Sequence, residues 1–176
     1  MKKLKCFYVC LFLLLGAAFV FSPHPVYAQG KSDKVKAVFL FKFFDYVTWP
    51  PGKKPGESGD GYLCTYGRHS FADSLDYIAA RKSGKYRLRT KSISSLDDAE
   101  SCHVLFVTRG NYGEISSFNN NGVLVVGDSG GVLERGGAVE LQESGGKVGL
   151  VVDLHNAKKR GLKISSRLLD IADVRR

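Results

Sequence analysis

The sequence is poor in the patterns that carry chemistry. It has no CxxC and no HxxxH, the close pairs from which zinc sites are built, and after position 28 its histidines stand singly at His69, His103 and His155. It has neither GxGxxG nor GxxxxGK(S/T), so the backbone cradles that hold nucleotide phosphates are missing. One long apolar run lies near the N-terminus, and no second one follows that could cross a bilayer. No segment repeats and no linker divides the chain, which argues for one domain. These absences set aside a zinc enzyme, a nucleotide-binding loop and a polytopic membrane protein, and they give no reason to expect a cofactor.

The single apolar run has its own meaning. MKKLK is a positive n-region, CFYVCLFLLLGAAFVF is an apolar run of 16 residues, and SPHPVYA puts Val26 and Ala28 at the −3 and −1 positions of a cleavage site. That order is a secretory signal peptide over residues 1–28, cut between Ala28 and Gln29. The run is shorter than the roughly 20 residues a spanning helix needs. Cys6 and Cys10 lie inside it, not after it where a lipid would be attached. Export to the periplasm leaves 148 of the 176 residues, a single domain able to bury about 70% of its unfolded surface. The leader removes three lysines, which lowers the formal charge from +9 to +6. Nucleic acid is scarce outside the cytoplasm, so no nucleic-acid partner is expected. The basic balance suits a solvated surface, or at most an acidic protein or a lipid headgroup surface. Of four cysteines only Cys64 and Cys102 remain, and an even pair in an exported domain reads as a disulfide, with two free buried thiols as the alternative.

DKVKAVFLFKFFDYVTWP predicts a helix from Asp33 to Pro50, with Val35, Val38, Phe39, Phe43, Tyr46 and Val47 at helical spacing. Leu40, Phe41 and Phe44 fall off that stripe and make the helix apolar around most of its girth. PPGKKPGESGDG is a polar loop, and GYLCTYG a strand. Residues 70–83 form a helix with Ser70 and Asp73 as its start signal, Phe71, Leu75 and Ile78 inward, and Gly84 as its stop. KYRLRTK alternates as an exposed or edge strand with Tyr86 and Leu88 inward. SSLDDAES is a helical turn capped by Ser94 or Ser95. SCHVLFV and GVLVVGD are strands buried on both faces, with a short helix near Glu114–Phe118 between them. KVGLVVDL is a further strand, followed by a short helix stopped by Gly161 and a last helix with Ile164, Leu168 and Ile171 inward. Strands alternating with helices around buried central strands predict an α/β fold: a single domain with a central, mostly parallel sheet and helices on both faces.

Two stretches invite a chemical reading. In SCHVLFV neighbouring strand residues face opposite ways, so Cys102 sides with Val104 and Phe106 while His103 sides with Leu105 and Val107. That separation argues against a catalytic Cys–His pair, which needs contact at about 3 Å. VLVVGDSGG runs a buried strand into Gly127–Asp128–Ser129, which resembles the GDS element of SGNH-type esterases, with Ser129 as nucleophile and Asp153 and His155 completing a triad. That element normally follows the first strand of its domain, yet here it lies about 100 residues into the exported chain. The acid and base are normally spaced D-x-x-H, and here the spacing is D-x-H. A tight turn after a strand accounts for the same Gly-Asp-Ser-Gly-Gly.

KAVFLFKFFDYVTWP, the LC of GYLCTYG, CHVLFV, the Leu124–Asp128 strand with its turn, Gly136–Gly137 and NAKKRGLKISSRLL together resemble, in order and spacing, the YfiR-like family of periplasmic regulators. The resemblance covers nearly all of residues 29–176 and implies an α/β sheet flanked by helices, often dimeric, so a homodimer is an expectation here. It implies a small inhibitory protein that binds the periplasmic domain of an inner-membrane diguanylate cyclase and holds cyclic-di-GMP synthesis down. Some members answer in turn to an outer-membrane partner. The family pattern pairs the cysteines that match Cys64 and Cys102, and the second disulfide of some members has no counterpart. AVELQESGGKVGLVVDL departs from the pattern, with Asp153 where Asn is usual. The expected function is a regulatory binding protein without catalytic residues. Its rivals are the Ser129 esterase and a periplasmic small-ligand-binding module.

Overall fold

A computed structural model describes residues 26–57, 59–81 and 87–176. The apolar leader run and the stretch 82–86, with the expected Gly84 stop and Tyr86, lie outside the described residues. Helix α1 (Val26–Tyr46) leads into β1 (Val47–Thr48), then β2 (Asp60–Tyr66), α2 (Ala72–Arg81) and β3 (Arg87–Ile93). A 3₁₀ turn at Leu96–Ser101, β4 (Val104–Val107), α3 (Tyr112–Ile115) and β5 (Leu124–Gly127) follow. The chain closes with β6 (Val139–Ser144), β7 (Lys147–Asp153), α4 (Leu154–Lys159), β8 (Lys163–Ile164), α5 (Ser166–Leu169) and β9 (Asp173–Arg175).

Seven strands form one sheet in the order β3-β2-β4-β5-β6-β7-β9, and β1 pairs with β8 in a separate antiparallel ribbon. The pairs from β3 through β6 are parallel, β6–β7 is antiparallel, and β9 joins β7 in parallel. The fold is therefore a single α/β domain with a mostly parallel sheet. β4 and β5 are buried at every position, as strands covered on both faces must be. On one face α1 and α2 lay Leu40, Phe41, Phe44, Phe71 and Leu75 over Leu63, Val104, Phe106 and Leu124. On the other, Leu96, Tyr112, Ile115, Phe118 and Leu133 cover Cys64, Leu105, Val107 and Val125. Each such side chain contributes roughly 1.5–3 kcal/mol of transfer free energy.

Several expectations shift. α1 is described from Val26, seven residues before the expected Asp33 cap, and it ends at Tyr46 because Val47–Thr48 pairs with Lys163–Ile164. Its buried face is Ala37, Leu40, Phe41 and Phe44, an i, i+3, i+4, i+7 set with Phe43 beside it, whereas Val38 is 46% exposed. Of the expected stripe, Phe43 and Val47 are buried and Phe39 and Tyr46 pack against the core, but Val38 faces outward, because a helix apolar nearly all round does not say which side meets the sheet. The helix expected near Glu114–Phe118 begins two residues earlier, at Tyr112. β6 was not foreseen; it forms a hairpin with β7 across Gly145–Gly146, both at positive φ, which suits a tight hairpin turn. The expected last helix is instead β8, α5 and β9, and Ile171 is 63% exposed.

Cys64 and Cys102 are bonded, with Cα atoms 5.8 Å apart and both residues buried. Cys102 is the C-cap of the 3₁₀ turn just before β4, so the bond fastens that turn to the neighbouring strand β2. For a sequence separation of 38, the chain-entropy account gives about 4 kcal/mol. We expect mass spectrometry of the unreduced exported protein to find the two peptides linked. Cys64→Ala with Cys102→Ala should lower the unfolding free energy in urea by about 2–4 kcal/mol. Two free thiols in the exported protein would sink the assignment.

Candidate functional site

The serine at the end of β5 is built as a turn. Tyr112 fills the space beside Gly127: its Oη accepts from the Asp128 backbone N–H at 3.1 Å and lies 3.2 Å from Ser129 Oγ. A Cβ at position 127 would collide with that phenol, so the glycine is required by the tyrosine. Asp128 is committed elsewhere. It meets the Lys36 ammonium at 3.1 Å, and Glu143 meets the same group at 3.2 Å, so α1 is locked across the ends of β5 and β6. Burial depresses the Lys36 pKa, but the two carboxylates more than offset this and hold it raised. Asp153 caps α4 by accepting the Asn156 N–H at 2.8 Å, and His155 stands exposed in that helix. Ser129, Asp153 and His155 are therefore not assembled as a triad, and Ser129 has a tyrosine where a base would be needed.

Cys102 and His103 do part company, but to the sides opposite those expected. Cys102 packs with Leu105 and Val107, while His103 lies against Phe44 and Trp49 on the Val104 and Phe106 side. Regular strand alternation begins only at Val104, so parity counted from residue 101 slips by one. The imidazole is only 6% exposed and stacks on Tyr62. Its Nδ1 accepts the Tyr62 N–H at 3.1 Å, and its backbone carbonyl accepts the Trp49 indole N–H at 3.3 Å. Burial first, and the Lys53 charge second, push its pKa down to about 4, against a backbone hydrogen bond to Lys54. His103 is thus a neutral brace between β2, β4 and the loop after α1.

His103 sits at the base of an open groove of about 820 Å³ whose rim mixes Lys53, Lys54 and Lys91 with Glu57, Asp97 and Glu100. Mixed charge in an open groove suits a contact surface better than an enclosed ligand site. His69 packs on Phe71 and Phe106, and burial lowers its pKa. Among the described residues no three His, Cys, Asp or Glu side chains group as a metal site, and no helix is long and apolar enough to cross a membrane.

Sequence reasoning missed the clamp at α4. Asn156 Nδ2 donates to the Leu133 and Gly137 carbonyls at 2.8 and 2.9 Å, and Arg160 reaches the Gly136 carbonyl from the next turn. Gly137 allows this turn to close, since a Cβ there would sit 2.9 Å from the Val132 carbonyl oxygen. Asn156 and Arg160 stand four residues apart, inside the segment that carries the resemblance, but that spacing does not mark their acceptors, which are backbone carbonyls. Gly136–Gly137 and NAKKRGLKISSRLL thus meet in space.

The YfiR/HmsC-like family model matches residues 33–173, from the buried part of α1 to β9. The chain belongs to this family. YfiR/HmsC-like proteins are periplasmic regulators that work with protein partners in signalling, and they are not a catalytic family. No curated protein sequence matches significantly. Among solved structures, a conserved domain protein from Vibrio cholerae O1 biovar El Tor is similar over 81% of this chain and 59% of its own, with a TM-score of 0.53 and 15% identity. The ABC domain in complex with L-Trp from Streptococcus pneumonia follows with a TM-score of 0.45 and 11% identity, over 65% of this chain and 55% of its own. This chain spans less than two thirds of either structure, and the Vibrio likeness speaks for the fold.

The depressed His103 pKa makes a pH prediction. The folded protein binds a proton there more weakly than the unfolded chain, so this contribution is intact above pH 6.5 and declines as pH falls toward 4. The loss is about 3 kcal/mol. Urea titrations across that window should show His103→Gln, which keeps an acceptor for Tyr62, losing less stability on acidification than wild type. Equal acid slopes would show that His103 is not the group responsible.

Proposed function

We propose that this chain is a periplasmic repressor that holds down an inner-membrane signalling enzyme of the diguanylate cyclase type by protein–protein contact. The observation that carries this reading is the family match across residues 33–173. The site chemistry is consistent with it: Ser129 bonds to the Tyr112 phenol, the buried His103 is held neutral and the groove beside it is open and mixed in charge. The signal peptide over residues 1–28 would place the domain where the periplasmic part of such an enzyme is reachable, and an outer-membrane protein is a second partner in keeping with the family. The outward side of α1, with Val38 exposed beside Lys34 and Lys42, is one face such a partner could touch.

Deleting the gene should raise cellular cyclic-di-GMP several-fold, and restoring it should bring the level back. Photo-crosslinking from position 38 in the periplasm should capture an inner-membrane protein bearing a cyclase domain. Unchanged cyclic-di-GMP, with no inner-membrane protein captured by affinity purification of the tagged protein, would overturn the reading. The esterase reading requires hydrolysis of a short-chain ester that Ser129→Ala abolishes; we expect no activity above buffer in either protein.

A further inference from the structure

Among the described residues two cations are buried, and their surroundings differ. Lys36 has two carboxylates within 3.2 Å. Arg160 is 8% exposed and has none among the described residues; its guanidinium donates only to backbone carbonyls. These are Phe118 O at 3.1 Å, Asn120 O at 3.3 Å and Gly136 O at 3.4 Å. Carbonyl dipoles solvate a guanidinium but leave its charge uncompensated, and a buried unpaired charge is costly. Arg160 also lines a half-open pocket of about 280 Å³ between α3, the Gly136 turn and α4. Arg135 from the Gly136 turn and Lys159 from α4 also line it, and neither Asp nor Glu does. Arg135 and Lys159 are likewise without a carboxylate partner among the described residues. Ile115 and Phe118 supply an apolar side.

We infer that this pocket binds a small anion, a phosphoryl or carboxylate group whose charge completes the Arg135, Lys159 and Arg160 cluster. Arg160 has most of its donors engaged, so it supplies field and one remaining N–H, while Arg135 and Lys159 supply the direct hydrogen bonds. The volume lies at the small end of ligand pockets, which fits a monophosphate or a small carboxylic acid better than a dinucleotide. An apolar portion would rest on Phe118 and Ile115. The phosphoryl group could belong to a free metabolite or to a lipid headgroup.

Thermal unfolding and calorimetric titration of the exported protein with inorganic phosphate, at constant ionic strength, test the free anion. Co-sedimentation with phosphatidylglycerol vesicles tests the headgroup. Arg135→Glu and Lys159→Glu leave the carbonyl bonds of Arg160 in place, so both should fold, and Lys147→Glu makes the same charge change on the distant hairpin. Saturable binding in at least one arm, weakened ten-fold or more by each pocket variant and unchanged by Lys147→Glu, is the expected result; the arm that responds identifies the source. Absence of saturable binding in both arms, or equal weakening by all three variants, would overturn the proposal. The readouts need no protein partner, so failure here leaves the repressor reading untouched.

Discussion

Arg160 is the point on which the irregular half of the molecule depends. Its guanidinium holds the carbonyls of Phe118, Asn120 and Gly136, and its own carbonyl accepts the Gly122 N–H at 2.8 Å. One residue therefore fastens the connection into β5 and the turn before β6, which have no ladder of their own to satisfy their backbone groups. Buried carbonyls left without donors cost of order 1–3 kcal/mol each, so the side chain replaces what regular structure would have supplied. Asn156, one turn earlier, does the same for Leu133 and Gly137. A six-residue helix thereby sets the shape of the face opposite α1.

The ends of the parallel strands, where open α/β sheets usually receive ligands, are closed in this protein. Lys36 reaches from α1 to Asp128 and Glu143, and Tyr112 fills the space beside Gly127. A side chain that would be a nucleophile in another setting is here part of a plug. What is left for interaction is surface and the small basic pocket at α4, which accords with a family whose members act through partners.

The strands with the strongest apolar runs, β4 and β5, were legible because burial on both faces leaves no polar position to obscure them. β6 was not, because Glu140, its second residue, is buried and pairs with Gln142, which reads as a polar loop in a glycine-rich tail. β8, α5 and β9 are each too short for periodicity to separate. The cysteine pair could be read from compartment and count. The α4 clamp could not, since its acceptors are backbone carbonyls, which every residue carries. The side swap at Cys102 and His103 has a similar cause: alternation is a property of the strand, and sequence does not mark where regular extension begins.

β3 forms one border of the sheet, with Arg87, Arg89 and Lys91 exposed at alternate positions and Asp60 as counter-charge to the two arginines. A bare strand edge is a template for any other extended chain, and charges along it are a common guard. Two copies meeting border to border at β3 would set these cations against their equivalents. These charges guard the edge against self-association, which favours a helical face or the opposite border for a homodimer and leaves β3 outermost in such an assembly.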